Sequence, residues 1–245
     1  MGFIKTHQPC EECGSSDGLS INEDGSTKCF VCGIFTPGHG EKKHTQEMSI
    51  TTGDVPQFLQ GEFMPIPSRG IHKDVCQRYD YRIGSHQGKA CHIATYRNPD
   101  RSIVAQKVRY EGKDFTSIGS PGYFWGQHLW PNGGKRLTVT EGEIDCLTVA
   151  QVVGEGKWPV VSLPSGAQSA KSVFKKQLKW LDKFEEVVIM FDNDESGNKA
   201  AEQCSHILPA GKCKIARLTL KDPNEMLTEG RSRELIDAYW QAKVW

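Results

Sequence analysis

Apolar positions along the second half of the chain follow two rhythms. Apolar-rich stretches of strand length occupy Leu137–Thr140, Val160–Leu163, Val187–Phe191 and, with two cations among them, Lys214–Leu218. Between them apolar residues recur at three- and four-residue spacing, which predicts helices over Ile144–Val153, Ala167–Leu181, Ser196–Leu208 and Arg231–Ala242. Buried strands alternating with amphipathic helices predict an open α/β sheet, whose ligands bind in the crevice beyond the carboxyl ends of the strands. Upstream the rhythm is different: a short helix over His72–Tyr79 precedes strands near Ala90–Tyr96, Ile103–Arg109 and Asp114–Ile118. From Thr36 to about Phe63 neither period holds and Pro, Gly, Lys and Thr dominate, as in a flexible tether. The first residues offer two short strands, Leu19–Ile21 and Thr27–Cys29, joined by the turn Asn22-Glu23-Asp24-Gly25. The organisation expected is a small domain at 1–36, a linker at 37–62 and a body at 63–245, the body holding a mixed subdomain at 63–134 and the α/β part at 135–222.

Composition narrows the class without choosing a function. With 37% hydrophobic and 24% charged residues the chain is that of an ordinary soluble globular protein. It has no apolar run of membrane-spanning length and no signal-peptide pattern at Met1–Gln8, so a cytoplasmic location without a membrane partner is expected. A formal net charge of zero restricts any nucleic-acid contact to a local patch. Of nine cysteines, four are clustered and five (Cys76, Cys91, Cys146, Cys204, Cys213) are scattered, which argues for a reducing compartment.

The clustered four read Cys10-x2-Cys13-x15-Cys29-x2-Cys32, a zinc-ligand spacing in which each pair supplies two thiolates from one tight turn. So few apolar residues surround them that one structural zinc would supply most of the folding energy, on the order of 10 kcal/mol. A purely structural ribbon is the plain reading. Lys28 and Phe30, beside the second pair, add a cation and a ring of the kind single-strand binders use.

The second candidate chemistry lies at two strand ends. The run ending at Thr140 is followed by Glu141, Glu143 and Asp145, and the run ending at Phe191 by Asp192, Asn193, Asp194 and Glu195. Two unit charges about 4 Å apart repel by roughly 4 kcal/mol at an effective dielectric near 20. Carboxylates converging there call for a hard divalent cation, Mg or Mn. A plainer alternative exists for each end: Thr140-x-x-Glu143 matches a capping box, and Asp194 or Ser196 matches a helix N-cap. Ile103, Ala105, Lys107 and Arg109 share one strand face, either as a groove for phosphates or as snorkelling cations at a sheet edge. Gly84-x3-Gly88-Lys89 is one residue short of a P-loop and lacks the following Ser or Thr, so no nucleotide-driven motor is encoded. Lys171, Lys175 and Lys179 read as a solvated helix face, and the histidines show no metal spacing.

Taken together, TEGEID and MFDNDESG some fifty residues apart resemble the Toprim fold. With CEEC…CFVC, SRGI, AQKVR, the run Phe124–Trp130, SLPSGA and KDPNE, the whole chain is similar to the primase half of the bacteriophage T7-type primase–helicases. The resemblance implies an α/β fold: a Toprim-type Rossmann-like sheet, an additional mixed α/β subdomain and a small zinc ribbon. It implies synthesis of short oligoribonucleotide primers from ribonucleoside triphosphates on single-stranded DNA in a phage-infected bacterial host, beside a replicative helicase and a DNA polymerase. Glu141 would be the acid–base residue. Asp192 and Asp194 would hold Mg or Mn, supported by Glu143, Asp145 and Asp222. Lys107, Arg109, Lys113 and Arg69 would bind nucleotide phosphates, and Asp24, Ser26, Lys28 and Phe30 the template. Where the T7 protein has a histidine this chain has Ser26, so the template signal does not carry over. The helicase half has no counterpart here, which fits a primase fragment or a stand-alone enzyme. A Toprim metal-dependent nuclease and a non-catalytic single-stranded nucleic-acid-binding module are the competing classes.

Overall fold

The computed structural model describes residues 3–12, 14–31, 34–36, 57–153 and 157–244. The chain divides into two compact units, Met1–Val55 and Pro56–Trp245.

In the first unit, β1 (Phe3–Gln8), β2 (Leu19–Asn22), β3 (Thr27–Cys29) and β4 (Phe35–Thr36) form an antiparallel sheet in that order. β1 had no sequence signal, because its residues are mostly polar and its Ile4 is exposed. The β2–β3 turn is locked by Asp24, whose carboxylate accepts from the Ser26 amide at 2.9 Å and the Ser26 hydroxyl at 2.6 Å. Among the described residues of this unit the buried ones are Cys10, Gly18, Ser20, Ser26 and Cys29, with no aliphatic side chain among them. Cys13 and Cys32 lie outside the described residues, as does most of the expected tether, 37–56.

The second unit opens with an antiparallel sheet. β5 (Gly61–Glu62), β6 (Tyr81–His86), β7 (Lys89–Arg97), β8 (Ile103–Arg109) and β9 (Phe115–Gly119) pair in sequence order, with α1 (Lys73–Tyr79) between the first two. The unit therefore begins earlier than Phe63: Leu59 exchanges two hydrogen bonds with the buried Gln106 side chain, at 2.7 and 3.0 Å. The rejected Gly84-x3-Gly88-Lys89 stretch is the β6–β7 hairpin, turning at Gln87 and Gly88, both with positive φ.

Next comes β10 (Gly134–Thr140), followed by α2 (Glu143–Val152), β11 (Val160–Ser162), α3 (Ala170–Lys176), α4 (Leu178–Leu181), β12 (Phe184–Met190), α5 (Glu195–Ser205), β13 (Cys213–Ile215), α6 (Pro223–Thr228), α7 (Ser232–Trp240) and β14 (Lys243–Val244). The sheet order is β11-β10-β12-β13-β14, parallel except for the last strand. Successive residues of its strands face opposite layers. Val188 and Met190 join a core with residues of α1, α2, α6 and α7, whereas Leu137, Val139, Val187 and Ile189 join one with residues of α3, α4 and α5. The expected helix over Ala167–Leu181 is broken at Gln177, whose side chain bonds Gln127 and the Gly122 carbonyl. The chain steps from β10 to β11 on one side and then to β12 on the other. The topological switch point, where such sheets bind ligands, is the carboxyl end of β10 and β12.

Trp125 ties the two sheets together. Its backbone pairs with Ser162 at 2.9 and 3.2 Å, and its indole donates to the Thr95 carbonyl at 3.0 Å, with the ring fully buried.

Candidate active site

One wall of a cleft of about 580 Å³ is built from the β10 and β12 strand ends. The register Thr140↔Met190 brings Glu141 alongside the Phe191–Asp192 end. Glu141 Oε1 accepts the Ala167 amide at 3.2 Å, delivered by a loop that turns at Gly166 with φ +66°. The Oε2 atom of Glu141 is buried with no hydrogen-bond partner. Burial raises the Glu141 pKa, with the Ala167 amide opposing. Asp192 is pushed up to about 7, by burial first and then by the charges of Glu141 and Asp222, with Lys221 opposing. Burial, Asp222 and Asp192 likewise push Asp145 well above the usual carboxylate range.

The remaining acids are held by helix starts. Asp194 caps α5 by accepting from the Gly197 amide at 2.8 Å, and Asp222 caps α6 by accepting from the Glu225 amide at 2.7 Å. A side chain at Gly197 would place Cβ 2.2 Å from the Asp192 carbonyl oxygen, which explains the glycine in Asp192-Asn193-Asp194-Glu195-Ser196-Gly197. Among the described residues no three His, Cys, Asp or Glu side chains are already drawn together as a metal cage. The donor set nevertheless suits a hard cation: several carboxylates raise one another's pKa, and one buried oxygen is bare.

The facing wall is one face of the antiparallel sheet. Strand register sets Tyr81, Ala94, Lys107 and Ser117 in one row across four strands, and Ile83, His92, Arg109 and Phe115 in the next. Lys107 pairs with Glu143 at 3.0 Å, and the buried Tyr96 hydroxyl donates to the same carboxylate. The capping box is therefore not made. Gly142 is the N-cap of α2, the Thr140 hydroxyl donates to the Gly142 carbonyl at 3.1 Å, and Glu143, expected beside the acids, is turned to the cationic wall. The Lys107 ammonium and Arg109 guanidinium lie 5.1 and 5.6 Å from the centre of the Phe115 ring. Arg69 lines a second groove with Arg109, and burial together with these two cations holds the His92 pKa down. Arg69 also bonds Asn224 at 3.3 Å. The Lys113 side chain lies outside the described residues.

In the first unit Lys28 sits 5.3 Å from the exposed ring of Phe30. Ser26 is different. It is buried, and its hydroxyl is committed to Asp24 and Asn22, so both turn residues are occupied in local bonds.

The profile of the family described as the bacteriophage T7 DNA helicase/primase N-terminal α+β fold matches residues 61–119, and a Toprim-like profile matches 138–227. The primase fragment of the bacteriophage T7 primase–helicase is 38% identical, with a TM-score of 0.72 over 98% of this chain and all of that one. The chain belongs to the T7-type helicase/primase family. The DNA helicase/primase of Enterobacteria phage T3 is 39% identical over 98% of this chain, which spans 44% of that relative's length. A T7 structure in which primase domains, bound to an RNA/DNA hybrid and dTTP, interact with the lagging-strand DNA polymerase matches at 43% identity and a TM-score of 0.72, covering 76% of this chain and 94% of that one.

Sequence reasoning about this chain missed Tyr96 and Phe115, and placed Lys221 at the strand edge without giving it a role. Tyr96 and Phe115 gave no signal, because each looks like an ordinary strand aromatic until the register is known.

Proposed function

We propose that the Pro56–Trp245 unit makes oligoribonucleotide primers on a single-stranded DNA template by metal-dependent nucleotidyl transfer. The observation that carries this reading is the opposition of charges across one cleft: crowded carboxylates with a bare Glu141 oxygen on one wall, Lys107 and Arg109 on the other. Glu141 Oε2 accepts the proton of the attacking 3′-hydroxyl, a role favoured by its raised pKa. The new phosphodiester forms at the α-phosphorus as its bond to the pyrophosphate oxygen breaks. Lys107 and Arg109, with Arg69 and Lys113, hold the triphosphate in line. Asp192, Asp194 and Asp222, with Glu141 and Asp145, would hold a Mg or Mn ion, which when bound neutralises charge on the transferring phosphate. Glu143 serves that wall less directly, through Lys107.

The first unit is read as a zinc domain, joined to the catalytic domain through a linker that ends before Leu59. Cys10 and Cys29, together with Cys13 and Cys32, would hold one zinc. Supporting this, the described residues of the unit bury two thiols and no aliphatic side chain, as a domain folded around a metal would. The exposed Phe30 and Lys28 suit contact with the template strand. The polymerase and hybrid seen with T7 primase domains support a replicative polymerase, and the name of the T3 relative a helicase, as partners in the host cytoplasm.

The test is incubation with Mg, single-stranded DNA and labelled ribonucleoside triphosphates. Oligoribonucleotides are expected. Cleaved DNA would make the chain a Toprim nuclease, and binding without products would make it a binding module.

A further inference from the structure

We propose that Phe115 is a stacking platform for a nucleobase at the mouth of the cleft, an inference that rests on the nucleotide-polymerising reading above. β9 alternates its faces. Ile118 packs against the Cys91–Ile93–Val108 cluster on one side, whereas Phe115 and Ser117 line the cleft on the other. Phe115 is 47% exposed and joins none of the apolar clusters of its unit. A phenylalanine ring left half in water gives up part of the favourable burial open to it, so a ring with no core to fill on this wall asks for another partner. The register sets it directly across from Arg109, and the two cations approach the ring at 5.1 and 5.6 Å.

A half-open ring with two cations beside it matches the two chemistries of a nucleotide: a planar base and an anionic phosphate chain. Any base stacks on an aromatic face, because every base has a π-surface, and phosphates seek the cations. Such a platform holds a nucleotide without reading its identity, which suits a site that must accept whichever nucleotide the template dictates. The competing reading gives the ring only a local role, aligning Lys107 and Arg109 through cation–π contact. The two readings separate cleanly. A platform matters only to ligands that carry a base, whereas an aligning ring matters to any polyphosphate.

The experiment uses the full chain with Mg and no template, so that binding is read without turnover. ATP, CTP and inorganic tripolyphosphate are titrated into the unsubstituted protein, Phe115→Leu and Phe115→Trp, and a single-stranded oligonucleotide is titrated separately. Leucine keeps apolar bulk and removes the π-face. Phe115→Leu should weaken ATP and CTP about ten-fold while leaving tripolyphosphate within two-fold, a loss at the low end of base-stacking contributions. Phe115→Trp should restore nucleotide affinity. If the oligonucleotide weakens instead, the stacked base is the template's and the platform stands. Equal weakening of ATP and tripolyphosphate would overturn it in favour of the aligning role, and no change in any ligand would overturn it outright. Absence of primer synthesis by the unsubstituted chain would sink the activity without touching this comparison.

Discussion

On the wall formed by the β10 and β12 strand ends, carboxylates face one another, and Lys221 is the cation that tempers Glu141 and Asp192. On the opposite wall, a lysine already lies against a carboxylate, and that carboxylate already takes a tyrosine hydroxyl. The acidic wall is held in place by backbone, through the Ala167 amide and the starts of α5 and α6. The cationic wall is held by side chains. The difference teaches how such a cleft divides its labour. The acids are fixed by backbone bonds and carry mutual repulsion that a bound cation would relieve. The lysine is kept satisfied by Glu143 and largely buried.

The largest break in this comparison is Glu141→Gln. It leaves the Ala167 contact a carbonyl oxygen to reach and removes the proton acceptor. Primer synthesis should fall by about 10³-fold or more, in the range of lost general-base catalysis, at every Mg concentration. Recovery with excess Mg would show that Glu141 matters only as a metal ligand.

Asp192→Asn should cost less and behave differently. It removes one ligand charge from a crowded set, so Mg affinity should drop and activity fall about 10- to 100-fold, in line with a single lost support at a metal site. Raising Mg or adding Mn should restore part of it. A metal titration that stays flat would move Asp192 out of the metal set.

Lys107→Ala tests the other wall, with two readouts. Loss of a phosphate contact should raise the nucleotide KM about ten-fold, comparable to one charge-assisted hydrogen bond. Stability should fall too, because Glu143 is only 7% exposed and its ion pair would be broken. Removing one partner of a buried pair costs about 3–5 kcal/mol. Lys107→Met combined with Glu143→Gln should recover much of the melting temperature and none of the nucleotide affinity. Recovery of both would make the pair purely structural.

How much of this was legible depends on how local each signal was. The parallel strands were readable because β11 and the carboxyl-terminal halves of β10 and β12 are buried and rich in Val, Leu, Ile and Met. β6 was not, since its six residues hold only two apolar positions, Tyr81 and Ile83, with Gly84 inside the run. α6 was not anticipated, although Asp222-Pro223-Asn224-Glu225 holds an N-cap followed by proline at the first helical position. The break at Gln177 had no local cause. It comes from bonds to Gln127 and Gly122, fifty and more residues away. The acids of the site were legible for the same reason as the strands, since they sit in short continuous motifs at strand ends. The partner of Glu143 was not. Lys107 lies 36 residues and Tyr96 47 residues upstream, on a different sheet, and nothing in a capping-box pattern encodes that contact.

The smallest effect is also the most direct probe of the acidic wall. Folding raises the Asp192 pKa from 3.8 to about 7, chiefly by burial and then by Glu141 and Asp222. A carboxyl raised in this way contributes stability that is complete below its unfolded pKa and is lost as the pH climbs through the folded one. The metal-free protein should therefore lose stability between about pH 4 and pH 7 from this group, the reverse of an ion-paired aspartate. Solvent screens a half-buried carboxylate, leaving an effect on the order of 1 kcal/mol, or about 2–4 °C in melting temperature for a domain of this size. Bound Mg favours the ionised form, so its stabilising increment should be larger at about pH 8 than at about pH 6. Asp192→Asn should flatten that difference, because asparagine does not titrate. Thermal melts of both proteins at the two pH values, with and without Mg, give the answer. An increment independent of pH in the unsubstituted chain would mean that Asp192 is already ionised before the metal binds, and that the repulsion ascribed to this wall is not there.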